Sequence, residues 1–67
     1  MKFTQRFNEV LQLSQKTQVE IAQAINVCKQ CVNDYKTGKS VPSLDTLYRL
    51  CVYLDVSADY LLGLSDY

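Results

Sequence analysis

Hydrophobic residues recur along this chain at three- and four-residue intervals, and polar caps punctuate them, so the pattern predicts helices throughout. Phe3, Phe7, Val10 and Leu11 share one face of a first segment that ends near Ser14, with Thr4 as its expected N-cap. Gln15 to Thr17 links this segment to the next without glycine or proline, so the boundary rests on Thr17. Thr17-x-x-Glu20 has the spacing of a capping box, in which the threonine oxygen accepts from the third residue's N–H and the glutamate reaches back. Ile21, Ala22 and Ile25 form the inward set of this second helix, and Asn26-Val27 makes the turn that follows.

At 100° per residue, residues 28–37 divide into two arcs. Cys28, Cys31, Val32 and Tyr35 occupy one, while Lys29, Gln30, Asn33, Asp34, Lys36 and Thr37 occupy the other. Any surface helix divides this way, but such helices favour Glu–Lys pairs on the outer face. Lys, Gln and Asn are instead the side chains that hydrogen-bond base edges, which makes this third helix a candidate DNA reader. Gly38 stops it in the left-handed conformation, and Lys36 in its last turn suits the helix dipole.

Ser40-Val41-Pro42 is expected to be extended. Ser43 then caps a fourth helix with Asp45 in its first turn, and Leu44, Leu47, Tyr48, Leu50, Cys51 and Leu54 are expected to form one broad core-facing stripe. Ser57 caps a short fifth helix, Ala58 to Leu62, with Val56 and Leu61 at the spacing of a hydrophobic staple and Gly63 at its end. Without repeats or linkers, residues 1–67 read as a single all-α domain of five helices.

Composition narrows the chemistry. A chain of 67 residues with 48% hydrophobic content is a small globular domain, near the lower end of what an apolar core alone can hold. No apolar run approaches a membrane span and MKFTQRF is not a signal peptide, so no membrane partner and a cytoplasmic location are expected. Three cysteines and no histidine argue for free thiols and no metal; Cys28-x-x-Cys31 has a redox spacing, but with no βαβ pattern around it and both thiols on the inward arc it reads as small buried hydrophobes. Neither a catalytic constellation nor a phosphate-cradling glycine loop is present, so no enzyme, cofactor or small-molecule substrate is expected. Net charge is zero but unevenly spread: residues 1–40 hold six basic residues against three acidic, and residues 41–67 hold one against four. The basic half contains the second and third helices, and a dipolar domain of this kind presents that half to phosphates.

The ordered series Thr17-Gln18-x-Glu20-Ile21-Ala22, Asn26-Val27, Val32, Tyr35, Gly38-Lys39, Pro42-Ser43, Leu47 and Val56-Ser57-x-Asp59-Tyr60-Leu61-Leu62-Gly63 resembles the phage-repressor type of helix-turn-helix domain, the Xre/Cro-like or lambda-repressor-like family. The resemblance spans nearly the whole chain and implies a compact five-helix, lambda-repressor-like fold. It implies base contacts in the major groove from Lys29, Gln30, Asn33 and Asp34 of the third helix. It implies phosphate contacts from Thr17 and Gln18 at the start of the second helix, and from Lys36, Lys39 and Ser40.

Two departures stand out. Cys28 replaces the Ser or Thr cap usual in relatives, and Leu11 and Lys36 stand where many relatives pair an arginine with a glutamate. Apolar packing replaces such a pair without loss, which frees Lys36 for phosphate. The function implied is sequence-specific binding of double-stranded DNA by a prokaryotic or phage transcriptional repressor acting as a homodimer. The last two helices are the expected contact, because Val52, Tyr53, Tyr60, Leu62 and Leu64 exceed what one small core hides. The alternative is a protein-interaction module, such as an antirepressor or assembly factor, that keeps the frame without reading DNA.

Overall fold

A computed structural model describes residues 1–66 of the chain. Five helices follow one another: α1 (Phe3–Ser14), α2 (Gln18–Ile25), α3 (Lys29–Thr37), α4 (Leu44–Leu54) and α5 (Ala58–Leu62). α2 packs on α3 and α4, α1 on α3 and α5, and α4 on α5, so every helix lends one face to a shared core. None of the helices among the described residues is long and apolar enough to cross a membrane.

The core is the one the periodicity selects: Phe3, Phe7, Ile21, Ala22, Ile25, Val32, Tyr35, Leu47, Leu50 and Leu61 are all buried. Phe3 stacks on Phe7 at 5.2 Å, and both meet the edge of the Tyr35 ring at 6.3 and 6.2 Å. This aromatic trio locks α1 to α3, and truncating either phenylalanine to alanine costs about 3–5 kcal/mol. Ala22 is the small contact that lets α2 lie close to its neighbours.

Two expectations are corrected here. α1 begins at Phe3 with Lys2 as its N-cap and no side-chain cap bond, so Thr4 lies inside the helix. Phe3 is buried in the core, and the helix starts two residues earlier than a Thr4 cap would place it. On α4, Leu47 and Leu50 are buried and Cys51 and Leu54 half-buried, but Leu44 and Tyr48 are 86% and 68% exposed. The six residues span about 160° of the helix, wider than the apolar stripe of an ordinary surface helix. Leu44 and Tyr48 fall on its outer edge and continue, through exposed Val52, as an apolar row facing outward.

All five helices end in a residue of left-handed conformation. Gly38 adopts it as expected (φ 84°), and Gly63, Gln15, Asn26 and Asp55 adopt it at φ 85°, 60°, 61° and 55°. Asn and Asp tolerate that region through their short polar side chains, whereas Gln15 has no such help and its left-handed turn was not foreseen.

Candidate nucleic-acid interface

The outward surface of α2 and α3 is built from two helix starts of the same backbone shape. Thr17 has φ −79° and ψ 161°, and its Oγ1 accepts from the Glu20 N–H at 3.1 Å while Glu20 Oε1 accepts from the Thr17 N–H at 3.1 Å. The capping box is complete. Acceptance from the Thr17 backbone, then from its side chain, holds the Glu20 carboxyl below its ordinary range. At the turn, Asn26 N–H and Val27 N–H return to carbonyls of the last turn of α2. Cys28 then starts α3 with φ −79° and ψ 160°, but its side chain makes no cap bond.

The geometry brings Gln18, Lys29, Gln30 and Asn33 around one open depression of about 390 Å³. Two of these lie at opposite ends of the motif in sequence, and the turn at Asn26-Val27 folds them together. Gln30 is held by its i,i+4 neighbour, its Nε2 donating to Asp34 Oδ1 at 3.0 Å. Asp34 is half-buried, and its carbonyl also accepts from the N–H groups of Gly38 and Lys39, which fixes the chain where α3 ends. Lys39 and Ser40 are exposed just beyond this stop.

Leu11 and Lys36, the positions of the missing ion pair, line one groove of about 490 Å³ together with Asn8, Gln12, Lys16, Gln18 and Ile21. Lys36 is not free there. Its Nζ donates to Gln18 Oε1 at 3.2 Å, which joins the end of α3 to the start of α2 and leaves the Gln18 amide N–H groups pointing onward as donors. Asn8 supports the same joint: its Nδ2 donates to the Thr4 carbonyl at 2.8 Å and to the Lys36 carbonyl at 2.9 Å. Asn8 is not among the site residues expected from the sequence, where its one signal is an amide four residues after Thr4 on α1.

Arg6 and Lys16 of the basic half, and Arg49 of the acidic half, are engaged elsewhere. Arg6 is a pin between α1 and the C-terminal segment: its guanidinium donates to the Tyr60 carbonyl at 2.9 Å and to the Ser65 carbonyl, lies 3.7 Å from Asp66 and sits 4.4 Å above the Tyr60 ring. Tyr60 Oη donates to Glu9 at 2.9 Å, and that bond raises the phenol's pKa. Lys16 lies 5.0 Å over the Tyr53 ring. Arg49 donates to the Ile25 carbonyl at the end of α2 and pairs with Asp45 at 3.1 Å. Of the lysines expected to meet DNA, Lys29 lines the depression, Lys36 lines the neighbouring groove and is tied to Gln18, and Lys39 is exposed beyond the end of α3.

The cysteines differ from expectation. All three are free, but Cys28 is exposed and Cys31 only half-buried, with the two sulfurs 3.2 Å apart. The wheel misplaces Cys28 because that residue precedes the helix, where its extended backbone turns the side chain away from the inward arc. The C-terminal apolar set divides likewise: Val52 and Leu64 are exposed, whereas Tyr53, Tyr60 and Leu62 are half-buried against the core.

Comparison with known proteins agrees with this geometry. A family model described as helix-turn-helix matches residues 9–61. The chain is 33% identical over 64 residues to YobD, an uncharacterized HTH-type transcriptional regulator of Bacillus subtilis strain 168, covering 96% of this chain and 57% of that protein. It is 35% identical over 63 residues to ImmR, an HTH-type transcriptional regulator of the same organism, covering 94% of this chain and 50% of that protein. The chain thus spans about half the length of these relatives. A solved transcriptional regulator from Listeria innocua superposes with a TM-score of 0.84 at 28% identity, covering 91% of this chain and 57% of its own.

Proposed function

Because the chain belongs to the helix-turn-helix family of transcriptional regulators, of the Xre/Cro-like kind, we propose that residues 1–67 act as one sequence-specific binding domain for double-stranded DNA. The family is a non-enzymatic, DNA-binding class. α3 enters the major groove with Lys29, Gln30 and Asn33 toward base edges, and Asp34 steadies the Gln30 amide from one turn below. Thr17 and Gln18 at the start of α2, with Lys36, Lys39 and Ser40 at the end of α3, contact the phosphates on either side. The observation that carries this reading is the depression shared by Gln18, Lys29, Gln30 and Asn33, where a backbone-positioning group adjoins three base-reading types.

A repressor of this kind acts by occupying a promoter as a homodimer on two half-sites about one helical turn apart. The outward row Leu44, Tyr48 and Val52 on α4 supports self-association, since it is apolar, continuous along the helix and exposed. Sedimentation is expected to detect a weak dimer that strengthens on a palindromic site; a strict monomer in both conditions contradicts it.

Gel shifts against genomic fragments over a range of salt test the binding itself. Affinity falls steeply with salt, and Lys39→Ala lowers the slope of log affinity against log salt by about one unit on every sequence. A protein with no salt-sensitive DNA complex would be an interaction module that keeps the frame alone.

A further inference from the structure

Cys28 and Cys31 occupy the N-cap and N3 positions of α3, the same two positions that Thr17 and Glu20 occupy at α2. At α2 those positions close a reciprocal hydrogen-bonded box. At α3 they hold two thiols whose sulfurs lie 3.2 Å apart, one of them exposed. A disulfide is about 2.05 Å long, so about 1 Å of further approach within a single turn closes the pair. We propose that Cys28 and Cys31 form a redox-active dithiol, which low-molecular-weight disulfides convert to an intramolecular disulfide, and that closing this bridge re-sets the first turn of α3 and weakens DNA binding.

The two sulfurs are suited to different halves of the exchange. The Cys31 thiol, and after it the Cys31 backbone N–H, lowers the pKa of Cys28, whereas Cys31 is raised, first by the same bond and then by desolvation. Cys28, the exposed sulfur, is the attacking thiolate, and Cys31, half-buried behind it, the resolving thiol. Cys28 Sγ attacks one sulfur of the small disulfide RSSR, a mixed disulfide forms, and one RS⁻ leaves and takes a proton. Cys31 Sγ, losing its proton, then attacks Cys28 Sγ and expels the second RS⁻, which is protonated in turn. The two cysteines are oxidised by two electrons and RSSR is reduced to two RSH. Cys51, half-buried on α4 and pushed up by burial, is the internal control.

Lys29 and Gln30 lie between the two cysteines, so the closing turn is the one that carries two proposed base contacts. This consequence rests on the DNA-reading function proposed above; the thiol chemistry does not. The test treats the full chain with graded mixtures of oxidised and reduced glutathione and reads intact mass, a peptide map and DNA affinity. The wild type is expected to lose two hydrogens without an adduct, to yield a Cys28–Cys31 cross-linked peptide with Cys51 free, and to weaken on its DNA site by about tenfold, the scale of one lost bidentate base contact. Cys31→Ser is expected to stop at a glutathione adduct on Cys28, and Cys28→Ser to keep its affinity under oxidant. Stable glutathione adducts on the wild type, or reaction confined to Cys51, overturn the dithiol. A closed bridge with unchanged affinity overturns its effect on DNA. A reduced protein that binds no DNA overturns the underlying reading and the switch with it, while the mass result still decides the thiol chemistry.

Discussion

The two helices of the motif begin with N-cap dihedrals that agree within a degree, φ −79° and ψ 161° at Thr17 against φ −79° and ψ 160° at Cys28, yet only the first is capped by its side chain. Helix starts of the same shape therefore do not need the same chemistry. The packing of α2 against α3 and of α1 against α3 sets the backbone at Cys28, and a hydroxyl there would only add free energy. α3 is instead secured at its far end, where Gly38, Lys39 and the Asn8 amide satisfy its last carbonyls. The helix proposed to read DNA is thus firm where it leaves the groove and soft where it enters.

The largest effect should come from loosening the firm end. Gly38 sits at φ 84° with ordinary room for a methyl group beside Thr4, so Gly38→Ala carries only backbone strain. It should destabilise by about 1–2 kcal/mol in urea titration, and a neutral result would mean that α3 does not depend on its C-terminal stop. Next in size is the contrast between the starts themselves. Thr17→Ala should cost about 1 kcal/mol, whereas Cys28→Ala should cost far less because no cap bond is lost; equal costs would dissolve the comparison. Conversely, Cys28→Ser should stabilise by about 0.5–1 kcal/mol, as an oxygen cap is added to a backbone already shaped for it.

The smallest effect is in the pH dependence of the α2 start. Because Glu20 has a lowered folded-state pKa, its charge contributes stability that is present above the unfolded-state value and is lost as pH falls through the folded one. The urea midpoints of wild type and Glu20→Gln should therefore differ at neutral pH, begin to converge near the unfolded-state value of about 4.3 and meet only below the lowered folded-state one. A gap that persists in acid would mean that the glutamate acts through shape rather than charge.

Much of this fold was legible in the sequence because its signals are local. Three of the five helix starts, at Thr17, Ser43 and Ser57, and the stops at Gly38 and Gly63 follow from cap residues, and every buried residue belongs to the periodic set. What escaped depends on tertiary choice. Thr4 offered a plausible cap, but burial of Phe3 started the helix earlier. The wheel put Cys28 inward although it lies before the helix, and it could not locate the outer edge of the α4 stripe at Leu44 and Tyr48. Of the candidate site, the outward residues of α3 were readable from their type and arc. Their mutual ties were not: Gln30 to Asp34 and Lys36 to Gln18 depend on rotamers, and Asn8 to the Lys36 carbonyl spans 28 residues.

On the function proposed, α3 reads bases rather than merely adhering to charge, and Gln30 is the residue that separates the two. Gln30 is exposed in the first turn, and its amide can donate to and accept from one adenine; such a pair discriminates by about 1–3 kcal/mol. The direct measurement is selection from a randomised DNA pool by wild type and Gln30→Ala, with the melting temperature followed alongside. The account predicts that the variant folds as the wild type does and loses preference at one position of each half-site while keeping the others. An unchanged preference at every position, in a folded variant, would contradict it.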